Sequence, residues 1–182
     1  MTTRTPTLAS ESTAGTMAFV GLGANLGDAR ATLRGALREL QALAKPGSFQ
    51  ASSLYGSAPV DASGPDYVNA VARLRTVLAP HALLDALQAI EQQFGRERPY
   101  RNAPRTLDLD ILLFGVDGQD GGIELRDERL TLPHPRAAQR GFVLEPLAEL
   151  WPGGILPGAG RVADLLSAVR RDPMQRVHRI DD

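Results

Sequence analysis

The sequence contains no cysteine. Disulfide bonds and thiolate metal sites are therefore excluded, and a chain without thiols fits a reducing compartment. We expect a cytoplasmic protein. No apolar run approaches the ~20 residues of a membrane-spanning helix. The first sixteen residues, Met1 to Thr16, lack the apolar segment of a secretory signal. We expect residues 1–16 to be a disordered tail and residues 17–182 to form one domain.

The chain also lacks a large excess of charge of either sign. It has 20 Lys and Arg against 21 Asp and Glu, a formal net charge of −1. Such a surface has no general attraction for nucleic acid or an anionic membrane, and we expect neither as a partner. Any binding site for an anion must be local.

Two common phosphate-binding patterns are missing. There is no G-x-x-x-x-G-K-[ST], so the chain is not a P-loop enzyme. Glycines do occur from Gly21 to Gly27, but their spacing is not that of the dinucleotide fingerprint, and no acidic residue follows about 20 positions later. A tight turn between a strand and a helix is the simpler interpretation.

Hydrophobic periodicity predicts elements in the order strand, helix, strand, strand, helix, strand. The first helix follows Asp28 as N-cap and ends before Lys45. Residues 56–65 are predicted as a loop, and 141–144 only as a buried apolar segment. The predicted strands are 17–23, 49–55, 66–78, 107–114, 123–125 and 176–180, and the later helices are 80–94 and 162–169.

Two aspartates are spaced for one face of the strand 107–114. Asp108 and Asp110 share that face, while Leu107, Leu109 and Ile111 share the other. Neighbouring carboxylates repel each other and are costly to desolvate unless a cation lies between them. Paired carboxylates suit Mg²⁺, which takes its other ligands from water and phosphates. The alternative is an antiparallel strand whose acidic face points at solvent.

An arginine-rich loop precedes this strand. It carries Arg96, Arg98 and Arg101, and Arg105 follows just before the aspartates. Guanidinium groups bind phosphate oxygens in bidentate fashion, and a metal neutralises the bridging oxygens, so the combination suits a triphosphate. A solvated run of charge on a surface loop is the alternative.

Polar residues on the strand 66–78 suggest a second ligand. Tyr67 and Asn69 share one face, and an Asn can present a donor and an acceptor side by side, as an amide-bearing heterocycle requires. Polar residues at the edge of a sheet are the other interpretation. Gln88 and Glu91 lie on the more polar side of the helix 80–94, where solvation is the default interpretation.

Four segments in order carry a resemblance to a known family. They are Gly21-Leu22-Gly23-Ala24-Asn25-Leu26, Pro65-Asp66-Tyr67-Val68-Asn69, Pro104-Arg105-Thr106-Leu107-Asp108-Leu109-Asp110-Ile111-Leu112, and Leu132-Pro133-His134-Pro135 with Arg140-Gly141-Phe142. They resemble the motifs of the 6-hydroxymethyl-7,8-dihydropterin pyrophosphokinase (HPPK) family of folate biosynthesis. The similarity spans about Ala18 to Pro146.

The resemblance implies a ferredoxin-like α+β sandwich, an antiparallel sheet with helices packed on it. It implies transfer of pyrophosphate from ATP to the hydroxymethyl group of a reduced pterin, releasing AMP. Two Mg²⁺ ions would be held by Asp108 and Asp110, with Arg96 and Arg105 as mobile charge partners of the phosphates. ATP and the reduced pterin would be the only partners of a monomer.

The resemblance also implies two sets of binding residues. The pterin pocket would be lined by Ala58, Val60, Tyr67, Asn69 and Phe142, with Phe142 stacking on the ring. The nucleotide would be faced by Gln88, Glu91, Arg98, Arg129, Thr131 and His134. The chain departs from the family pattern at Asn102 and Ala103, where many members have an aromatic residue and a glycine that help to close a lid, and at Pro135.

In-line attack on a crowded phosphate requires its charge to be neutralised in a dry site. We therefore expect the loops 48–65 and 95–105 to close over ATP. No residue is an obvious strong general base, and we assign none.

Two other functions use some of the same residues. A Mg²⁺-dependent nucleotidyl or phosphoryl transferase could act on a different acceptor, and ADP as a product would point to a reaction of that kind. A non-catalytic ferredoxin-like module could bind small ligands or RNA. The near-neutral charge and the lack of interleaved aromatic and basic residues argue against RNA.

Overall fold

The computed structural model describes residues 15–60, 64–95 and 106–181. The strands are β1 (Thr16–Ala24), β2 (Gln50–Ala51), β3 (Leu54–Ser57), β4 (Tyr67–Thr76), β5 (Asp108–Phe114), β6 (Leu125–Arg126), β7 (Thr131–Leu132), β8 (Ile155–Leu156), β9 (Gly160–Arg161) and β10 (Val177–Ile180). The α-helices are α1 (Ala29–Ala42), α2 (Pro80–Gln93), α3 (Gly141–Leu150) and α4 (Val162–Val169). Short 3₁₀ helices lie at Ala137–Gln139 and Pro173–Gln175.

The main sheet is antiparallel, with the order β10-β3-β4-β1-β5, and β2 also pairs with β4. Strand, helix, strand, strand, helix, strand is the order of β1, α1, β3, β4, α2 and β5. The predicted ferredoxin-like α+β sandwich is confirmed. Within the described ranges, no helix has the length and apolarity needed to cross a membrane.

Each face of the sheet has its own apolar core. On the first face, Leu33 and Leu40 of α1 and Leu83 and Leu87 of α2 pack against strand residues such as Val20. On the second face, α3 and α4 cover residues that include Phe19 and Val71. The site described below lies on the second face, beside the start of α3.

Local signals explain the first two helices. The side chain of Asp28 caps α1, since its Oδ1 accepts the Ala31 N–H at 3.0 Å. Pro80 occupies the first turn of α2, where a missing N–H costs nothing, and Gly95 follows the helix with φ of 74°. Both helices lie where the sequence predicts them.

A β-bulge divides β5 into two parts. Leu107, Leu109 and Ile111 belong to the first core, as predicted. The pairing with β1 shifts between Phe19 and Val20, and Leu112 has no partner of its own. Leu112 and Leu113 consequently both belong to the second core. Before the bulge, Asp108 and Asp110 face the second side of the sheet.

The prediction of one continuous strand at 49–55 is wrong. The segment is split into β2 and β3 at Ser52. The backbone N–H of Ser52 still donates to the Val71 carbonyl at 2.9 Å, but the Val71 N–H donates to Ser52 Oγ, at 3.0 Å, and not to the Ser52 carbonyl. The backbone N–H of Ser53 turns away to the Glu149 carboxylate. After this break β3 continues to Ser57, so its last residues replace the start of the predicted loop 56–65.

Several later elements differ from the sequence prediction. The segment predicted only as buried at 141–144 is the start of α3, which contains Pro146. The region 123–136 contains the β6–β7 hairpin, and the β8–β9 hairpin was not predicted. Helix α4 and strand β10 are confirmed. Strand β1 begins at Thr16, one residue inside the predicted tail, and residues 1–14 lie outside the described residues.

Candidate active site

A cavity of about 450 Å³ opens on the second face of the sheet. Strands β1, β4 and β5 form one wall, and residues from 134 to 143 form the other. Eight of the predicted site residues line it: Ala58, Val60, Tyr67, Asn69, Asp108, Asp110, His134 and Phe142. The fold therefore brings the predicted metal ligands and the predicted pterin residues to one cavity.

Two glycines leave space above β1, the strand between β4 and β5. Gly21 lies between Asp110 and Val71, and Gly23 lies between Asp108 and Asn69. A Cβ at Gly23 would stand 3.4 Å from Asn69 Oδ1 and would project into the cavity. Both glycines lie inside β1, as the predicted strand 17–23 has it. The predicted tight turn between strand and helix lies at Gly27, where φ is 60°.

The acidic side of the cavity carries two partly exposed carboxylates. The side chain of Asp110 is 46% exposed, and His134 Nε2 lies 3.9 Å from its Oδ2. Asp108 is half-buried two positions earlier on the same strand face. Their position at the cavity wall leaves their oxygens within reach of a cation that also contacts a bound ligand.

His134 is neutral at physiological pH. Burial and the nearby cations Arg140 and Arg136 lower its pKa to about 4, against the opposing attraction of Asp108. Its Nδ1 accepts the backbone N–H of Arg136 at 3.1 Å. The proton of the neutral ring therefore sits on Nε2, which faces Asp110 and the cavity.

Backbone groups of the aspartate strand are held by residues from other elements. Leu109 donates its N–H to Glu91 Oε1 at 2.7 Å, and Glu91 is only 2% exposed. The Leu112 carbonyl accepts the N–H of His134 at 2.9 Å. Glu91 thus lies against the backbone of β5 and does not line the cavity.

Asn69 presents mainly an acceptor to the cavity. Its amide nitrogen donates to the Tyr55 carbonyl at 3.3 Å and to Ser57 Oγ at 2.9 Å. Its Oδ1 lies beside Gly23. The sequence suggested a donor and an acceptor side by side, but both donors are used inside the protein.

An aromatic ring and a cation border the opposite side. Phe142 stands at the start of α3, and the guanidinium carbon of Arg140 lies 5.4 Å from its ring centroid. Such a pair fits a cation–π contact. At the end of the loop after β3, the Asn25 side chain donates to the Pro65 carbonyl at 3.2 Å, which ties this loop to the turn after β1.

Four of the predicted nucleotide residues lie outside the cavity wall, Glu91 and three others. Gln88 is exposed on α2, Arg129 forms an ion pair with Asp85, and Thr131 is half-buried on β7. Arg96, Arg98 and Arg105 lie outside the described residues, as do Asn102 and Ala103. The predicted motion of the loop 95–105 falls almost wholly on the same undescribed range.

Sequence reasoning missed several cavity residues. They are Gly21, Gly23, Ser57, Arg136, Gln139, Arg140 and Gln175. Gly21 and Gly23 alternate on β1, which pairs with the aspartate strand β5, and this pattern could have indicated open space above β1. Gly21, Gly23 and Arg140 belong to motifs of the family resemblance, but no role was predicted for them. Gln175 gave no signal, because it is separated from every other site residue by a helix and two hairpin strands.

Comparison with known proteins gives a consistent result. A family model described as 7,8-dihydro-6-hydroxymethylpterin-pyrophosphokinase (HPPK) matches residues 19–152. The 2-amino-4-hydroxy-6-hydroxymethyldihydropteridine pyrophosphokinase of Pseudomonas aeruginosa is 44% identical over 161 residues, which cover 87% of this chain and 95% of that protein. The enzyme of the same name from Synechocystis is 44% identical over 79% of this chain and 71% of its own length.

Solved structures show the same fold. A wild-type HPPK-DHPS from Plasmodium falciparum with SDX-DHP aligns with a TM-score of 0.63 at 14% identity, covering 84% of this chain and 44% of that chain. An HPPK-DHPS in complex with substrates aligns with a TM-score of 0.63 at 13% identity, covering 85% and 43%. The chain thus spans less than half of these two longer chains.

Proposed function

The chain belongs to the 7,8-dihydro-6-hydroxymethylpterin-pyrophosphokinase family, and from this we propose that it transfers pyrophosphate from ATP to 6-hydroxymethyl-7,8-dihydropterin. The products are AMP and the pterin diphosphate, an intermediate of folate biosynthesis. One observation carries the proposal. The paired carboxylates Asp108 and Asp110 share a single cavity with Tyr67, Asn69 and Phe142, the groups suited to a flat, amide-bearing ring.

Asp108 and Asp110 fit a magnesium site. Both are oxygen donors on one strand face at the cavity wall, as a hard divalent cation prefers. In the described part of the chain no group of three or more His, Cys, Asp or Glu is placed to hold a metal, so water and phosphate oxygens would complete the coordination. Two Mg²⁺ ions are proposed here, and when bound they neutralise the triphosphate oxygens.

Cationic and neutral donors of the chain complete the phosphate side. Arg136 lines the cavity and can contact phosphate oxygens in bidentate fashion, whereas the guanidinium carbon of Arg140 lies 5.4 Å from the Phe142 ring centroid. His134, neutral with its proton on Nε2, can donate a hydrogen bond without adding charge. Arg96 and Arg105 are proposed as further partners of the phosphates. No general base is assigned, so positioning and electrostatics supply most of the rate.

The pterin would be recognised by shape and by its amide edge. Asn69 Oδ1 is oriented to accept an N–H from that edge, because its own amide nitrogen is already bound to Tyr55 and Ser57. Phe142 is placed to stack on the ring, and Tyr67, Ala58 and Val60 line the remaining wall. The glycines of β1 leave room for the ring to approach the sheet.

The ATP-binding residues are proposed from the family resemblance. Gln88, Arg98, Arg129, Thr131 and His134 are proposed to face ATP, and Glu91 is proposed to act through β5, whose backbone it holds. We also propose that the enzyme works as a cytoplasmic monomer with these two small molecules as its partners.

Product analysis tests the proposed function. The full chain is incubated with ATP, Mg²⁺ and 6-hydroxymethyl-7,8-dihydropterin, and the nucleotides are separated by chromatography. We expect AMP in equal amount to the pterin diphosphate, and no AMP when the pterin is omitted. ADP as the product would point instead to simple phosphoryl transfer. Binding of ATP and pterin with no product would indicate a non-catalytic binding module.

A further inference from the structure

Gln175 reaches the candidate active site from a part of the chain that no motif covers. The family match ends at residue 152, and Gln175 lies in the 3₁₀ helix Pro173–Gln175 just before β10. It nevertheless lines the same cavity as Asp108 and Phe142.

The side chain of Gln175 caps helix α3. The residue before the helix, Arg140, makes no side-chain capping bond, and the first N–H groups of a helix have no partner within it. Gly141 donates its N–H to Gln175 Oε1 at 3.1 Å. The cap for α3 therefore comes from a residue 34 positions later in the chain.

The contact between the two segments is close. A Cβ on Gly141 would stand 2.4 Å from the Gln175 carbonyl oxygen and 3.2 Å from Val177 Cγ2. Only glycine lets the start of α3 lie this close to the segment. The next residue along α3 is Phe142, so the position of its ring depends on how this helix start is held.

The same segment also contacts Ser57, a hydrogen-bond partner of the proposed pterin residue Asn69. After Gln175 the chain enters β10, in which Val177 pairs with Ser57 of β3. Ser57 Oγ accepts the hydrogen bond of the Asn69 amide. The C-terminal segment thus adjoins the supports of both Phe142 and Asn69. By contrast, Asp108 and Asp110 are held by β1, Glu91 and His134.

We propose that Gln175 is a positioning residue for the pterin: its carboxamide caps α3 and fixes Phe142 against the cavity, while the metal and phosphate side is held independently. This inference rests on the proposed function. It predicts that loss of the cap weakens pterin binding and leaves nucleotide binding unchanged.

Gln175→Met tests the proposal, since it keeps the length of the side chain and removes the acceptor. Met174→Ala is the matched control, because Met174 is adjacent and 70% exposed. Titration calorimetry measures the Kd of a non-hydrolysable ATP analogue with Mg²⁺, and then the Kd of the pterin at saturating analogue. For Gln175→Met we expect pterin Kd to rise on the order of tenfold and analogue Kd to stay within about twofold.

Amide hydrogen exchange on the ligand-free protein gives a second measurement. Faster exchange at 141–144 in Gln175→Met, together with the split in affinities, supports the proposal. Faster exchange with unchanged pterin affinity overturns it, as does an equal loss of affinity for both ligands or an exchange rate equal to wild type. If wild-type protein binds no pterin and makes no AMP, the proposed function fails and this inference with it.

Discussion

Single side chains can be divided into those proposed to serve chemistry and those that serve structure, and Asp108 and Asp110 are proposed for the first group. Asp108→Ala or Asp110→Ala should lower AMP formation by about 10²–10³-fold or more, since each removes a proposed metal ligand. Neither should lower stability, because removing one of two neighbouring carboxylates relieves repulsion. Initial rates and thermal unfolding of the ligand-free protein measure both effects. Asp164→Ala, on the exposed surface of α4, is the control.

Glu91 belongs to the second group in this structure. Glu91→Ala leaves the Leu109 N–H without its acceptor, and we expect the free energy of unfolding to fall by about 1–3 kcal/mol. Gln88→Ala, one turn earlier and exposed, should change it by less than ~0.5 kcal/mol. Urea unfolding compares the two. An equal loss in the free energy of unfolding for the two variants would mean that Glu91 does not stabilise β5.

Among whole elements, α3 depends on a polar tie to β3. Glu149 near its end accepts hydrogen bonds from Ser53 and, at 2.7 Å, from the Tyr55 hydroxyl. Burial raises the pKa of Glu149, but the bonds from Tyr55 and Ser53 outweigh it and hold the pKa below its usual 4.5. Burial and the Glu149 partner raise the pKa of Tyr55 to about 12.

The depressed pKa of Glu149 fixes the sign of a pH effect. The unfolded chain binds the proton more readily than the folded one, so ionised Glu149 stabilises the fold fully above pH 4.5 and loses this effect as the pH falls through its folded pKa. The stability difference between wild type and Glu149→Gln should therefore be constant near neutrality and shrink below pH 4.5. Urea unfolding across this range measures it. A difference that grows on acidification would contradict the assignment.

Local signals were enough for the elements that build the main sheet and its first layer. Asp28, Pro80 and Gly95 mark helix ends that the structure reproduces. Helix α3 was missed because Pro146 lies inside it, and proline normally interrupts a helix. Packing of Leu144 and Leu147 against the sheet outweighs that local cost. The break at Ser52 was missed because it depends on Glu149, which is remote in sequence.

The site was predictable where it coincides with a motif, as with Asp108, Asp110 and Asn69. It was not predictable where a residue acts through space. Gly23 lines the cavity because β1 lies between β4 and β5. Gln175 lines it because the pairing of β10 with β3 brings the C-terminal segment to the cavity. Neither relation can be inferred from neighbouring residues in the chain.

For the molecule as a whole, ligand binding should be linked to stability. A non-hydrolysable ATP analogue with Mg²⁺ at 100 times its Kd should add roughly 2.7 kcal/mol to the free energy of unfolding. Excess EDTA should remove most of this gain, since Asp108 and Asp110 can hold the triphosphate only through a cation. Thermal unfolding with and without EDTA measures the difference. Full stabilisation in EDTA would show that the nucleotide is held by cationic side chains alone.

Glu91 and His134 form hydrogen bonds with the backbone of β5, and these bonds should also affect self-association. A strand at the border of a sheet offers unpaired amides and carbonyls to any other chain that can add a strand. In the described sheet that border is β5, where the Leu109 amide and the Leu112 carbonyl are already occupied from within. The opposite border, β10, is four residues long and carries His178 and Arg179.

Both borders are therefore poor templates for self-association. We expect a single sedimenting species of 19.5 kDa in analytical ultracentrifugation. Glu91→Ala, which frees the Leu109 amide, should favour slow growth of larger species on warming, whereas Gln88→Ala should not. The Glu91 carboxylate, which accepts the Leu109 N–H of β5, would then also protect the protein from polymerisation.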